Sequence, residues 1–201
     1  MTQINKVLVI RKASIEDLSN IVELHTQSWR ENYGDVLSST YLREEIYPDR
    51  TKVWSSRLTS SPANQLILIA ELGNEFCGFV CGFGAKHREF GTIIDNLHVR
   101  SNCKGKGIGT KLLVAAAKWA VTNFENDNLY LEVLEGNSKA IKFYESLGGK
   151  NIATAYWHTP CGNDTKELIY SWGSPQKLAN KFKNENASEA GTDVARTRRP
   201  F

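Results

Sequence analysis

Three glycines at every second position, Gly105, Gly107 and Gly109, mark the stretch of the chain best suited to bind a charged ligand. They follow an apolar segment, Thr92 to Val99, and precede a helical pattern that starts at Thr110. Glycine has no Cβ, so backbone N–H groups can approach a ligand closely, and a helix start adds free N–H groups and partial positive charge. Three lysines reinforce that charge: Lys104, Lys106 and Lys111. The pattern predicts a phosphate-binding loop between a strand and a helix.

The spacing of the glycines excludes two common nucleotide loops. A Walker loop reads G-x-x-x-x-G-K-[ST], and counting from Gly105 places Thr110 where its second glycine belongs. The dinucleotide fingerprint G-x-G-x-x-G fails from Gly105, which again meets Thr110, and from Gly107, which meets Leu112. Taken by itself, the stretch is also compatible with a glycine-rich turn that binds nothing.

Asn137 and Tyr144 form a second pair whose spacing suits a site. They are seven residues apart, about two helical turns, so a helix would present both on one face. Asn137 is also a good helix N-cap, and Gly148-Gly149 is a good C-terminal signal. By residue type alone, a capping asparagine and a tyrosine packed in the core are the simpler interpretation.

The elements that must position these residues alternate between strand and helix patterns. Strands are predicted at 7–11, 65–72, 76–83, 92–99, 129–134, 152–157 and 167–172. Ser14 predicts the cap of a first helix, and Pro48 predicts a break in the next helical region. Gly78 and Gly82 within one strand indicate bulges. The order β, helices, β-β-β, α, β, α, β-β is typical of the α+β class, with helices packed on a mixed sheet.

Length and composition predict one globular domain. The 201 residues suit a single domain, here 1–174, and the apolar content falls after it, so 175–201 is predicted to be a largely disordered tail. The net charge of +3 does not argue for nucleic acid, and no apolar run approaches the ~20 residues of a membrane span. The N-terminus lacks the long apolar region of a secretory signal, and the four cysteines form no C-x-x-C pair. Reduced thiols and a cytoplasmic location are expected.

Two stretches resemble the GNAT superfamily of N-acetyltransferases. Residues 104–109, KGKGIG, resemble the pyrophosphate loop with which that family holds acetyl-coenzyme A, although Lys104 stands where Arg or Gln is usual and Ser101 where proline is common. Residues 137–149 resemble the family ending N-x-x-A-x-x-F-Y-E-x-x-G-F, with Gly149 in place of the aromatic residue. The element order is also similar over about 7–172. The resemblance implies a central mixed, mostly antiparallel sheet flanked by helices.

The resemblance also implies roles for individual residues. Tyr144 would act as general acid for the departing coenzyme A thiolate, with a phenol pKa of about 10. Main-chain groups and one amide would hold the cofactor, at Leu97, His98, Val99, Lys104, Gly105, Lys106, Gly107, Ile108, Gly109, Thr110 and Asn137. Four aromatic residues would supply the acceptor wall or pack in the core: Trp29, Tyr33, Tyr41 and Trp54, with core packing expected for at least two of them.

An amine acceptor would also need a base, because an alkyl ammonium of pKa about 10.4 costs roughly 4.6 kcal/mol to deprotonate at pH 7. Asp95 is the preferred catalytic candidate, and Glu132 is a further one. His98 is three residues from Asp95, so at most one of the two would point into the site unless a bulge intervenes. Some members of the family use only ordered water. No metal is expected, because His158 and Cys161 lack a second pair of ligands.

The sequence thus predicts a cytoplasmic acetyltransferase that moves an acetyl group from acetyl-coenzyme A to a primary amine by direct attack in a ternary complex. The alternative is a non-catalytic GNAT module that binds an acyl-coenzyme A and acts through a protein partner. A nucleotide-dependent oxidoreductase is disfavoured because neither fingerprint fits. The acceptor, a small-molecule or protein amine, stays open. No nucleic acid or membrane partner is expected, and a homodimer is compatible with the family.

Overall fold

The computed structural model describes residues 6–60, 62–125 and 127–181 of the chain. In this part of the chain, seven strands form one sheet in the order β1-β2-β3-β4-β5-β7-β6. Their bounds are β1 Leu8–Lys12, β2 Gln65–Leu72, β3 Glu75–His87, β4 Gly91–Val99, β5 Leu129–Leu134, β6 Lys150–His158 and β7 Asp164–Gly173. Neighbouring strands are antiparallel except β4 and β5, which run parallel. The predicted α+β class and mostly antiparallel sheet are confirmed.

The described residues also form five α-helices. They are α1 Leu18–Asn32, α2 Ile46–Ser60, α3 Ile108–Asn123, α4 Ser138–Ser146 and α5 Gln176–Ala179. The predicted cap at Ser14 is confirmed: its hydroxyl accepts from the N–H of Glu16 at 3.3 Å, and Asp17 completes a capping box ahead of α1. The glycine loop leads into α3 two residues earlier than the sequence pattern predicted.

The predicted break at Pro48 is wrong. Pro48 lies inside α2, as the third residue of the helix. Proline is tolerated in the first turn of a helix because its missing N–H is not needed there. The turn before it, Tyr41–Glu45, is a π-helix in which the N–H of Ile46 bonds the carbonyl of Tyr41, so the chain enters α2 without interruption.

Helices cover both faces of the sheet. On one face, α3 packs Leu112, Leu113 and Ala116 against apolar residues of β2 to β5 and β7. On the other face, α1 and α2 place Ile21 and Trp54 over the strands β2 and β3. These two apolar layers hold the middle of the sheet rigid, so the site at its open end rests on a fixed scaffold.

The parallel pair β4 and β5 separates soon after it begins. Pairing is confined to Thr92 with Leu129 and Ile93 with Tyr130. On the other edge of β4, the register against β3 shifts, because Cys81 pairs with Asn96 while Gly82 pairs with Ile94. Asp95 is therefore an extra residue in β4. Such a bulge bends a strand, and here it lies where β4 leaves β5, next to the glycine that indicated it.

The predicted C-terminal tail, 175–201, begins with α5. Leu178 of this helix is fully buried against the α3 layer. Residues 182–201 lie outside the described residues, so the disorder of the tail stays a prediction. None of the described helices is long and apolar enough to cross a bilayer.

Candidate active site

The separation of β4 from β5 opens the sheet at its centre. Beyond Ile93 the pairing with β5 ends, while Leu97, His98 and Val99 remain paired to β3 along their other edge. Their free backbone groups therefore face the opening. An extended ligand could add to this edge as a further strand would, which suits the cofactor contacts predicted for the main chain of these three residues.

A groove of about 440 Å³ runs from this opening to the start of α3. The predicted cofactor residues that line it are Leu97, His98, Val99, Lys104, Gly105, Gly107, Ile108, Gly109, Thr110 and Asn137. Lys106 does not line the groove. Two residues that sequence reasoning missed, Lys139 and Phe143, complete the wall on α4.

The loop Lys104 to Thr110 presents unpaired backbone donors to this groove. Gly105 and Gly107 have φ angles of +77° and +73°, a conformation that favours glycine, and a Cβ on either would meet no atom within 4 Å. The bond from the N–H of Lys111 to the carbonyl of Gly107 is 3.0 Å long. The N–H groups of 105–110 have no backbone acceptor in the described part of the chain. This row of donors at a helix start suits a phosphate.

A second, wider cleft of about 640 Å³ lies on the other side of the opening. Groove and cleft share several lining residues, among them Ser28, Leu97, His98, Asn137 and Tyr144. Two ligands bound in these spaces would therefore meet beside Tyr144, with β4 on one side and α4 on the other.

Tyr144 and Asn137 face the same space, as their seven-residue spacing predicted. The amide oxygen of Asn137 accepts from the N–H of Ala140 at 3.2 Å and caps α4, while both residues line groove and cleft. Burial raises the pKa of Tyr144 to about 12, above the value near 10 assumed from residue type. Tyr144 is therefore protonated at neutral pH and able to donate a hydrogen bond, but not to act as a base.

Asp95 and His98 both line the cleft, because the bulge at Asp95 resets the alternation of β4. Asp95 accepts from the guanidinium of Arg57 at 2.6 Å. His98 bonds the hydroxyl of Ser28 at 2.9 Å, and burial followed by the charge of Lys104 lowers its pKa to about 4. His98 is therefore neutral at pH 7 and a weak proton acceptor.

Two further carboxylates line the same cleft, Glu132 on β5 and Glu167 on β7. Burial raises the pKa of Glu132, and the nearby charge of Asp95 raises it further. Burial raises the pKa of Glu167 to about 7, with added repulsion from Glu132 and Asp95. Glu132 was a candidate from the sequence, whereas Glu167 was not.

Three aromatic side chains form the cleft wall away from the groove. Tyr33 stacks on Trp29 with ring centroids 5.0 Å apart, and Trp157 of β6 meets Trp29 edge-on at 5.4 Å. Tyr41 and Trp54 do not line the cleft. Both are buried, with Tyr41 bonded to Asp49 and Trp54 packed on α1, so two of the four predicted wall residues are core.

The missed residues carried weak sequence signals. Glu167 is the first residue of a predicted strand, and alternation puts it on the face of Ile169, which is an ordinary pattern for a strand end. Trp157 is the last residue of another predicted strand, and a tryptophan at that position indicates only packing against the core. Their function depends on β7 and β6 lying beside β5, which short-range patterns do not specify.

The cysteines are free thiols, as expected. Cys103, next to the glycine loop, is buried and donates to Cys77 at a sulfur–sulfur distance of 2.9 Å. Burial raises the pKa of Cys77 to about 11, so its thiolate form is scarce at neutral pH. Among the described residues, no group of three or more His, Cys, Asp or Glu side chains is placed to hold a metal ion.

Comparison with known proteins identifies one family. The model of the acetyltransferase (GNAT) family matches residues 19–149. An uncharacterized N-acetyltransferase, YuaI, from Bacillus subtilis is 25% identical over 169 residues, which cover 83% of this chain and 93% of that protein. An N-alpha-acetyltransferase from Sulfurisphaera tokodaii is 26% identical over 165 residues, covering 77% of this chain and 87% of that protein.

Solved structures share the fold. The PaiA N-acetyltransferase from Thermoplasma acidophilum, solved in complex with coenzyme A, superposes with a TM-score of 0.64. It is 23% identical, and the match covers 83% of this chain and 99% of that one.

Proposed function

The chain belongs to the GNAT family of acetyltransferases, and we propose that it transfers the acetyl group of acetyl-coenzyme A to a primary amine by direct attack in a ternary complex. One observation supports this most: groove and cleft meet at Tyr144, where β4 separates from β5. Such a junction brings two substrates together within a rigid frame, and this proximity removes much of the entropic barrier.

Acetyl-coenzyme A fits the groove by the chemistry of its donors. Its pyrophosphate would accept from the N–H groups of 105–110, with Lys104 and Lys139 near enough to add charge. Its pantetheine arm would lie along the free edge of 97–99. The bound thioester supplies an activated acetyl group, and an N–H of this edge would polarise its carbonyl. The Thermoplasma protein was solved in complex with coenzyme A, which supports a coenzyme A thioester as the ligand.

The acceptor enters from the cleft. A primary amine is cationic at neutral pH, and the cleft offers three carboxylates at Asp95, Glu132 and Glu167 beside aromatic rings that suit a cation and its alkyl chain. Tyr144 would protonate the departing thiolate, because it is the phenol at the junction. The acceptor class, small-molecule or protein amine, is left to experiment.

Ligand binding tests this function first. Isothermal titration of the purified protein should give micromolar binding of acetyl-coenzyme A and no comparable binding of NADH or ATP, because the loop matches neither the dinucleotide fingerprint nor the Walker loop. A panel of primary amines, scored by release of the coenzyme A thiol, then identifies the acceptor. No binding of acetyl-coenzyme A would overturn the proposal. Binding without thiol release from any amine would favour the non-catalytic module, which the intact Tyr144 and glycines argue against.

A further inference from the structure

Three carboxylates stand on one face of three adjacent strands. In β5 and β7, Glu132 pairs with Ile169, and Glu167 lies two residues before Ile169, so Glu132 and Glu167 project from the same side. Asp95 reaches the same cleft from the bulge of β4. Among the described residues, these three carboxylates are not arranged to hold a metal ion. In the described part of the chain only Asp95 has a charged partner, which separates its role from those of the two glutamates.

Asp95 is already committed to a cation. Its carboxylate accepts from Arg57 at 2.6 Å, and the same guanidinium nitrogen bonds the side chain of Asn96 at 2.9 Å. The hydrogen bond to Arg57 is charge-assisted and fixes the position of the carboxylate. Asp95 is therefore placed to hold Arg57 and the bulge in position.

Glu132 and Glu167 both lack such a partner. Within the described residues neither side chain forms a hydrogen bond or an ion pair, and Lys166, next to Glu167, bonds Glu135 instead. Glu167 lies on the face of the sheet where Ile169 packs with Ile93 and Tyr130, and Ala155 of β6 is its partner in the neighbouring strand. A carboxylate on an apolar floor is poorly solvated, which favours its protonated form.

Glu167 also lies close to the junction. The buried phenol of Tyr33 has its pKa raised by burial first, and then by the nearby Glu167 and Tyr144. Glu167 and Tyr144 thus both lie near this ring, and all three residues line the cleft. An ammonium that approaches the thioester through the cleft would enter the space that Glu167 lines.

We propose that Glu167 is the general base, taking a proton from the acceptor ammonium as it enters the site; this rests on the proposed acetyl transfer. The freed lone pair of the nitrogen forms the N–C bond, and the C–S bond breaks with its electron pair on sulfur. Tyr144 gives its proton to that sulfur. The second proton lost by the nitrogen restores Tyr144, and Glu167 releases its proton to water, so one proton leaves per acetyl group.

The other charged groups around Glu167 do not neutralise it. Of the cations that line the cleft from α2, Arg57 is paired with Asp95, and Arg50 is paired with Asp49 at 2.8 Å. His158 of β6 faces Asp164 at 2.9 Å, and Lys166 bonds Glu135 at 2.6 Å. The remaining neighbours are His98, Glu132 and the phenols Tyr33 and Tyr144. The pKa of about 7 thus reflects burial and two like charges, a value suited to a base at neutral pH.

The test is the pH profile of kcat and kcat/KM in three variants. Wild type should lose activity below about pH 7. Glu167→Gln should lower kcat about 100-fold or more and remove this acid limb. Glu132→Gln should keep the limb but move it to lower pH, since it removes a charge that raises the pKa of Glu167. Glu135→Gln, next to β7 but outside the cleft, is the matched control and should keep the wild-type profile.

A direct titration gives a readout independent of turnover. Carbon-13 NMR of labelled glutamate carboxyls should show one resonance that titrates near pH 7 and is absent in Glu167→Gln. If the Glu167→Gln variant is active and keeps the acid limb of the wild-type pH profile, Glu167 is not the base, but the proposed acetyl transfer is not contradicted. Wild type that binds no acetyl-coenzyme A overturns both. If the Glu167→Gln variant does not fold, the Glu132→Gln variant provides the test. An acid limb at the wild-type pH in that variant would show that Glu167 is not the base.

Discussion

At the scale of the residue, surroundings assign roles that residue types leave open. Asp95, His98, Glu132 and Glu167 all line one cleft and all could accept a proton. His98 is weakened by a pKa of about 4, and Asp95 is held by Arg57. Burial acts on Tyr144 in the opposite sense and keeps its proton in place. An acid and a base can thus coexist a short distance apart at the same pH.

The acid role of Tyr144 makes one prediction. Tyr144→Phe removes the phenol proton but keeps the ring against Phe143 and Trp172, so we expect kcat to fall by ~100-fold while acetyl-coenzyme A binding is unchanged. Tyr47→Phe, on the exposed side of α2, should keep wild-type turnover. Unchanged turnover of Tyr144→Phe at saturating substrate would contradict the assignment.

At the scale of the element, two backbone irregularities build the site. The bulge at Asp95 turns β4 away from β5 and brings Asp95 and His98 to the same cleft. The left-handed glycines before α3 aim a row of N–H groups at the groove. Both features act through backbone groups, so a departure such as Lys104 from the family pattern leaves both in place.

The loop conformation makes a second prediction. Gly107→Ala places a Cβ in open space, so its cost is the left-handed φ of +73°, about 1–2 kcal/mol. The loop can relieve this strain by moving, and we expect titration calorimetry to show several-fold weaker acetyl-coenzyme A binding. Gly34→Ala is the matched control, because it also faces open space but lacks a positive φ. Equal affinities for the two variants would argue against a binding role for the loop geometry.

At the scale of the whole molecule, the site depends on how α1 and α2 dock on the sheet. Trp54 of α2 donates its indole N–H to Nδ1 of His25 on α1 at 2.8 Å, in a layer where both side chains are buried. Burial lowers the pKa of His25 well below its ordinary value, and the nearby His98, Arg50 and Arg57 lower it further. The neutral form of one buried histidine therefore helps to hold the cleft wall in place.

This predicts a pH dependence of stability. His25 binds a proton near pH 6.5 when unfolded but not when folded, so its contribution to stability is complete above pH 6.5 and is lost as the pH falls. Glu167 opposes it, because a raised folded pKa stabilises the fold at low pH. Comparing wild type with a His25 variant separates the contribution of His25 from that of Glu167. The difference in unfolding free energy between wild type and His25→Asn, measured in urea, should shrink by about 2 kcal/mol when the pH is lowered from 7.5 to 5.0.

The control for that measurement is Val22→Ala in the same layer. It leaves a small cavity but no change in proton binding, so its destabilisation should be the same at both pH values. If the destabilisation caused by His25→Asn is also the same at both pH values, His25 does not lose its charge on folding.

The sequence by itself determined the class of fold, both family signatures, the loop and the Asn137–Tyr144 pair. These depend on backbone preferences and periodicities among residues close in the chain, such as glycine at positive φ and the seven-residue spacing on α4. Only the tertiary structure joined Arg57 to Asp95 and brought Glu167 near Tyr33. Such features depend on partners far apart in the chain, because burial and neighbouring charge, rather than residue type, set the pKa of each group.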